Sequence, residues 1–258
     1  GWHIECSAMC AEHLGEEIDI HAGGQDLVFP HHENEIAQTR CAFGHEHFAR
    51  YWVHNGFVQV ESRKMSKSIG NVLLVRELSK YHPGEVLRYV LLQAHYRQPL
   101  DWSEKALDQA RRTLDRLYAN LRGHQINIGE DTTPSEDFLA LLADDLNTPK
   151  ALAEINRLGR EAANCEDAEQ AQALREKLVA NARFIGLLKQ DPEAWFTWRP
   201  AAMAEVDPIK VESLINARQE ARKNKDWAEA DRVRDQLTEM GIVLEDGAGG
   251  TRWRVMEP

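Results

Sequence analysis

The hydrophobic pattern of this chain changes rhythm twice. Over residues 1 to about 72, short apolar runs alternate with polar loops: Ile18 to Ile20 and Trp52 to Val60 have the β-branched and aromatic content of strands. Between them, Pro30 followed by HHENEIAQTRCAF and Gly44 reads as the one helix of this region, with Pro near its start and Gly past its end. Strands alternating with helices imply a parallel sheet of the nucleotide-binding type, of which about half is present. From Val75 onward the pattern turns helical almost without interruption. Leu107, Ala110, Leu114, Leu117 and Leu121 form one apolar stripe behind Ser103 as N-cap, and Thr148-Pro149 opens a helix with Leu152, Ile155 and Leu158 on one side. Residues 101 to about 196 are therefore expected to form a helical bundle. Thr197 to Pro208 shows no clear period and reads as a linker. The last fifty residues predict a helix near 208–224, a second from Trp227 to Met240, and a hairpin of IVLED and TRWRV around Gly247, Gly249 and Gly250. The expected class is α/β plus mainly α, with segments at 1–72, 73–100, 101–200 and 205–258.

Length and composition narrow this picture. The chain has 258 residues, enough for one large domain or two to three smaller ones, and its 43% hydrophobic and 28% charged content is that of an ordinary globular protein. No apolar run approaches the roughly 18 residues of a membrane-spanning helix, and the first residues lack the basic and apolar regions of a secretory signal. The chain starts inside a motif and without Met, which reads as a truncation. Cys6, Cys10, Cys41 and Cys165 are too few for a disulfide framework in a chain of this length; they point to a reducing cytoplasm and to metal chemistry. A net charge of −11 argues against indiscriminate polyanion binding. Arg111, Arg112, Arg116 and Arg122 on one helix, and Arg218, Arg222, Lys223 and Lys225 on another, read first as solvated helix faces.

Two constellations carry chemistry. KMSKS, Lys64 to Ser68, sets two lysines three apart among small hydroxyl residues, followed by Gly70 and Asn71: a loop able to place point charges on a triphosphate. It resembles the signature loop of class I aminoacyl-tRNA synthetases. His31 and Glu35 lie four apart, so on the predicted helix they share a face and can reach one ion, with Cys6 adding a thiolate from an earlier segment. From the residues alone a plain His to Glu pair beside a buried Cys is the simpler reading, and Cys10 would be as good a ligand as Cys6.

The strings GWHIECSAM, DIHAGGQDL and FPHHENEIAQ, in that order and followed by KMSKSIGN, resemble the cysteinyl-tRNA synthetase family specifically. The resemblance implies a partial Rossmann-like catalytic domain and a zinc ion held by Cys, Cys, His and Glu. The matching positions are Cys6, His31 and Glu35; the other Cys and the HIGH motif belong to an N-terminal half that this chain lacks. It further implies that Trp2 lines the cysteine pocket, that His3 and His21 lie near the amino acid or adenylate, and that Gly23, Gly24 and Asp26 hold the nucleoside. Ala22 stands where the family commonly has a third glycine. Lys64 and Lys67 would steady the phosphates of ATP, with magnesium. The bundle would contact the stem side of tRNA(Cys), and the C-terminal unit would read the anticodon through Arg222, Trp227, Asp231 and Asp246, although Trp227 could equally be packing at a helix start. A cytoplasmic monomer is implied. Two other readings remain: a cysteine:amino-sugar ligase of thiol biosynthesis, and a non-catalytic RNA-binding fragment.

Overall fold

The computed structural model describes residues 2–44, 46–60, 62–65, 70, 72–127, 129, 133–201, 207–247 and 250–255, without the side chains of Lys64 and of most of the C-terminal hairpin. They form two units, residues 1–72 with 88–189, and 73–87 with 190–258. No helix among them is long and apolar enough to cross a membrane.

The first unit begins with a helix that the sequence pattern did not predict, α1 (Trp2–Leu14). Its apolar residues are spread around the axis and leave no stripe to read; Gly15, at φ +101, follows its end. Then come β1 (Ile18–Gly24), α2 (Glu33–Phe43) and β2 (Ala49–Asn55). β1 and β2 pair in parallel, from Ile18 opposite Ala49 to Gly24 opposite Asn55, so α2 is the crossover of a βαβ unit. Gly44, left-handed at φ +74, ends α2 by donating its N–H to the Arg40 carbonyl. Ile18, Phe48 and Ala49 form the small core here, with Cys10, Ile36 and Trp52 packed on it.

The single strand expected over Trp52 to Val60 is two. β2 stops at Asn55, and β3 (Val58–Val60) joins a different sheet, antiparallel to β4 (Arg63–Lys64) and parallel to β5 (Leu100–Trp102). The break lies at Gly56, whose N–H donates to the Tyr96 carbonyl at 2.7 Å. A Cβ there would run into the backbone of Gln98. β5 also interrupts the run of helices expected from Val75 onward, which includes α3 (Val75–Leu78) and α4 (Gly84–Gln93).

The bundle follows as α5 (Glu104–Leu121), α6 (Glu136–Ala143), α7 (Thr148–Asn164) and α8 (Ala168–Phe184). Ser103 caps α5 by accepting from the Ala106 N–H, and all five residues of the predicted stripe are buried. α7 starts where Thr148-Pro149 indicated, with Asn147 as its side-chain cap. In the second unit, α9 (Pro192–Thr197) precedes α10 (Pro208–Lys223), α11 (Trp227–Glu239) and the antiparallel hairpin β6 (Ile242–Gly247) with β7 (Gly250–Val255). Val211, Ile215, Val233, Leu237 and Ile242 form its core, and Trp253 donates from Nε1 to Glu212 at 2.9 Å. Of the expected linker, Thr197 to Pro208, residues 202–206 lie outside the described residues, while Thr197 ends α9 and Pro208 begins α10.

Candidate functional site

The inner face of α2 is unusual for a short crossover helix, because the residues it buries are Glu35 and Thr39. An amphipathic helix normally buries aliphatic side chains, so a buried carboxylate marks a face built for something other than packing. Just before α2, an irregular turn over Val28–His32, with Phe29 in extended conformation, delivers His31 and His32 to the same buried place. Glu35 is 1% exposed, His31 6% and His32 3%.

Three elements converge on that carboxylate. His31 Nε2 lies 2.8 Å from Glu35 Oε1, and His21, on β1, brings Nε2 to 2.9 Å from Oε2. α1 supplies Cys6, held in place because Ser7 donates to Gln38 of α2 at 2.7 Å. The ligand atoms of Cys6, His31 and Glu35 all lie within 4.8 Å of one another, and those of His21, His32 and Glu35 form a second such group. Cys10 does not join either group among the described residues; it packs on the Ile18–Phe48–Ala49 core. The packing of α1 on α2 thus separates two cysteines that spacing alone left equivalent.

This donor set fits zinc. Thiolate, imidazole and carboxylate are its usual ligands. Both Glu35 oxygens are close to imidazole nitrogens, yet neither receives a well-aligned hydrogen bond. The short distances and the missing bonds are compatible if bare ring nitrogens face the carboxylate. When His31 Nδ1 donates to His3 Nδ1, 2.6 Å away, its Nε2 is left with a lone pair aimed at Glu35, an arrangement that calls for a shared cation. Burial, then the Glu35 charge, raises the Cys6 thiol above its ordinary value of 9.0, so the anionic ligand forms only with a compensating positive charge.

Trp2 stacks on His31 with ring centroids 4.5 Å apart while staying 60% exposed, which gives the site an aromatic wall at its open side. His3 touches His31. His32 and His54 were not anticipated. His32 Nδ1 is 2.9 Å from His54 Nε2, and burial, with His21, His54 and His31 around it, holds His32 down at about 4. His54 is lowered as well, by burial and then by Arg97 and His21. The readable signal was the His31-His32 doublet; the place of His54 follows from its pairing with Gly23 across the parallel strands, which the sequence does not show.

Gly23 and Gly24 end β1, and Asp26 lies exposed in the single turn Gln25–Leu27 that follows. A Cβ on Gly23 would sit 2.8 Å from His32 Cε1, so the glycine is what lets the strand end close over the histidines. Ala22 lies in extended strand opposite Val53, a place that needs no glycine. Lys64 is in β4 opposite Gln59, while Lys67 lies outside the described residues, as does the side chain of Lys64. In the second unit Trp227 is 61% exposed and so not core, Arg222 is exposed, and Asp231 pairs with Arg234 at 3.1 Å. Asp246 is in β6, its side chain outside the described set. Arg111 and Arg112 pair with Asp115 and Asp108 on their own helix, as solvated faces do.

Comparison with known proteins addresses the family. The profile of the tRNA synthetases class I (C) catalytic domain matches residues 1–112, a DALR domain matches 137–189, and the cysteinyl-tRNA ligase anticodon binding domain matches 208–254. A cysteine–tRNA ligase from Parvibaculum lavamentivorans is 56% identical over 99% of this chain, and one from Paramagnetospirillum magneticum is 52% identical over 98%. The chain belongs to the cysteinyl-tRNA synthetase family. It spans about half the length of these relatives, 55% of each. Among solved structures, a LeuRS–tRNA–LeuAMS complex from Agrobacterium radiobacter K84 is similar at 20% identity and a TM-score of 0.49, over 69% of this chain and 27% of that one. In this chain a partial parallel α/β region precedes helical segments.

Proposed function

We propose that this chain carries the cysteine-recognising part of a cysteine–tRNA ligase, in which Cys6, His31 and Glu35 hold a zinc ion that reads the substrate thiol. The observation that carries the reading is the buried Glu35 carboxylate, with imidazole nitrogens and the Cys6 thiol gathered around it, in a family whose members are named for this ligation. Bound there, zinc supplies a soft Lewis acid that prefers a thiolate to a hydroxyl, which separates cysteine from serine by more than shape could.

The remaining work is positioning and charge stabilisation. Trp2, stacked on His31, covers the amino acid, with His3 and His21 beside it. His21 and His31 each bring Nε2 to within 2.9 Å of a Glu35 oxygen, so the three side chains are gathered where the ion would bind. Gly23 and Gly24 bring backbone to the nucleoside and Asp26 accepts from ribose hydroxyls. Lys64 and Lys67 steady the phosphates of ATP, with magnesium, as cysteinyl adenylate and pyrophosphate form. The cysteinyl group then passes to the 3′ end of tRNA(Cys). This chemistry needs no side chain as a covalent nucleophile.

In this reading residues 1–72 are half of the catalytic domain, 73–100 a connecting stem-contact segment, 101–200 a bundle lying on tRNA, and 205–258 the anticodon reader, with Arg222, Trp227, Asp231 and Asp246 as candidate contacts. Exposure of Trp227 suits base stacking. An N-terminal half completes the zinc and ATP sites, and the whole works as a cytoplasmic monomer. The test is cysteine-dependent ATP–pyrophosphate exchange with serine as control, on the chain alone and with the N-terminal half added. Exchange with cysteine but not serine is expected once the site is complete. No exchange in either case would overturn the reading in favour of a non-catalytic RNA-binding role.

A further inference from the structure

The segment from His95 to Trp102 touches more functional parts of the first unit than its sequence suggests. The Arg97 carbonyl accepts from Gln25 Nε2 at 2.8 Å, and Gln25 stands between Gly24 and Asp26. The Tyr96 carbonyl accepts from Gly56 N–H, the Leu100 N–H donates to the Phe57 carbonyl at 2.9 Å, and Asp101 accepts the Ser62 N–H at 2.7 Å, just ahead of the lysine loop. The strap therefore ties down both the turn that follows β1 and the residues between β3 and β4.

The side chains of Tyr96 and Arg97 reach instead to the turn between α6 and α7. Arg97 donates from Nε to Asp145 Oδ2 at 2.7 Å and from Nη2 to Oδ1 at 3.2 Å, and Tyr96 donates its hydroxyl to Oδ1 at 2.7 Å. The Arg97 guanidinium also lies 5.0 Å from the centre of the Tyr96 ring. Asp145 and Leu146 are both left-handed, at φ +55 and +54. Two such residues in succession, neither a glycine, persist only where their surroundings hold them. A carboxylate that receives three donors from a segment nearly fifty residues earlier fixes that segment as firmly as it is itself fixed.

We propose that Asp145, in the helical bundle, is a positioning residue for the Gly23–Leu27 loop, acting through the Arg97 fork and the Arg97 carbonyl on Gln25. The bundle, where an RNA partner would lie, and the loop that would hold the nucleoside are then joined through one bidentate pair. That the loop holds a nucleoside rests on the function proposed above; the mechanical coupling does not.

Hydrogen–deuterium exchange on the protein tests it without any activity. Asp145→Ala and Arg97→Ala should each speed exchange of the amides of residues 23–27 by about threefold to tenfold, and the double variant should add nothing to the larger single effect. Asp145→Asn, which keeps the shape and one acceptor, should give a smaller rise of the same pattern. Arg157→Ala, which breaks pairs with Glu154 and Glu161 elsewhere in the bundle, should leave residues 23–27 unchanged. In the complete enzyme, Asp145→Ala should raise the KM for ATP by a similar factor and leave the KM for cysteine within about twofold. If faster exchange stays confined to residues 94–98 and 143–147, the pair is a local brace and the proposal is wrong. Absence of cysteine-dependent activity in the parent enzyme would instead count against the function, with the exchange result standing by itself.

Discussion

Replacing Cys6 by serine tests the metal centre where the structure makes its sharpest distinction. The chain offers three ligands within 4.8 Å, and structural zinc sites bind with roughly 10–16 kcal/mol shared among their ligands. Losing one of three or four should therefore weaken zinc by about 3 kcal/mol, on the order of a hundredfold or more in Kd. Cys10→Ser removes the same atom one helical turn away, where it packs on Ile18 and Phe48, and should change Kd by less than about threefold. Burial, then the Glu35 charge, raises the Cys6 thiol above its ordinary value, so at neutral pH it is held as the neutral thiol. Zinc must displace a proton there, so affinity should rise with pH in the parent protein and less steeply in Cys6→Ser. Competition titration against a chromophoric chelator at pH 6 and pH 8 measures all of this. Equal affinities of Cys6→Ser and the parent, or a loss that follows Cys10 instead, would refute the ligand assignment.

Gly23→Ala should destabilise the chain by about 1–3 kcal/mol and weaken ATP binding, since the new methyl meets His32 at 2.8 Å and Leu27 at 3.1 Å; chemical denaturation and a nucleotide titration check it. Leu237→Ala, at a fully buried position of the C-terminal unit, should cost about 2–5 kcal/mol in that unit's unfolding transition and leave zinc content unchanged. Tyr89 is raised above its ordinary value of 10.0, chiefly by burial, so its contribution should be present below pH 10 and decline as pH rises through its folded value. Tyr89→Phe also loses the hydrogen bond from Asn156 and should lower Tm near neutral pH, with the gap closing in alkali. Deleting residues 208–258 should spare adenylate formation and damage tRNA charging, measured by pyrophosphate exchange and aminoacylation side by side.

What could be read in advance followed physical range. The α5 stripe, the Ser103 cap and the C-terminal helix, helix, hairpin order depend on neighbours a few residues apart, and sequence periodicity reports such contacts directly. α1 escaped because its apolar residues form no stripe; it is held by packing on α2, through contacts such as Ser7 with Gln38. The break at Gly56 escaped because its cause is the backbone of Gln98, about forty residues later. Within the site, His31 and Glu35 were legible as an i, i+4 pair. The choice of Cys6 over Cys10 required the fit of α1 against α2, and the partnership of His32 with His54 required the register of β1 on β2. Asp145 carries no signal in the sequence, because its partners Arg97 and Tyr96 lie nearly fifty residues earlier and only the fold brings them to it.

The central claim is that a metal at Cys6, His31 and Glu35 touches the substrate sulfur, and cobalt-substituted protein completed with its N-terminal half reports that contact directly. Addition of cysteine should strengthen the thiolate-to-cobalt charge-transfer absorption and shift the visible bands of the ion, while serine leaves both unchanged. A spectrum that is indifferent to cysteine, in protein that has bound cobalt, would contradict the account.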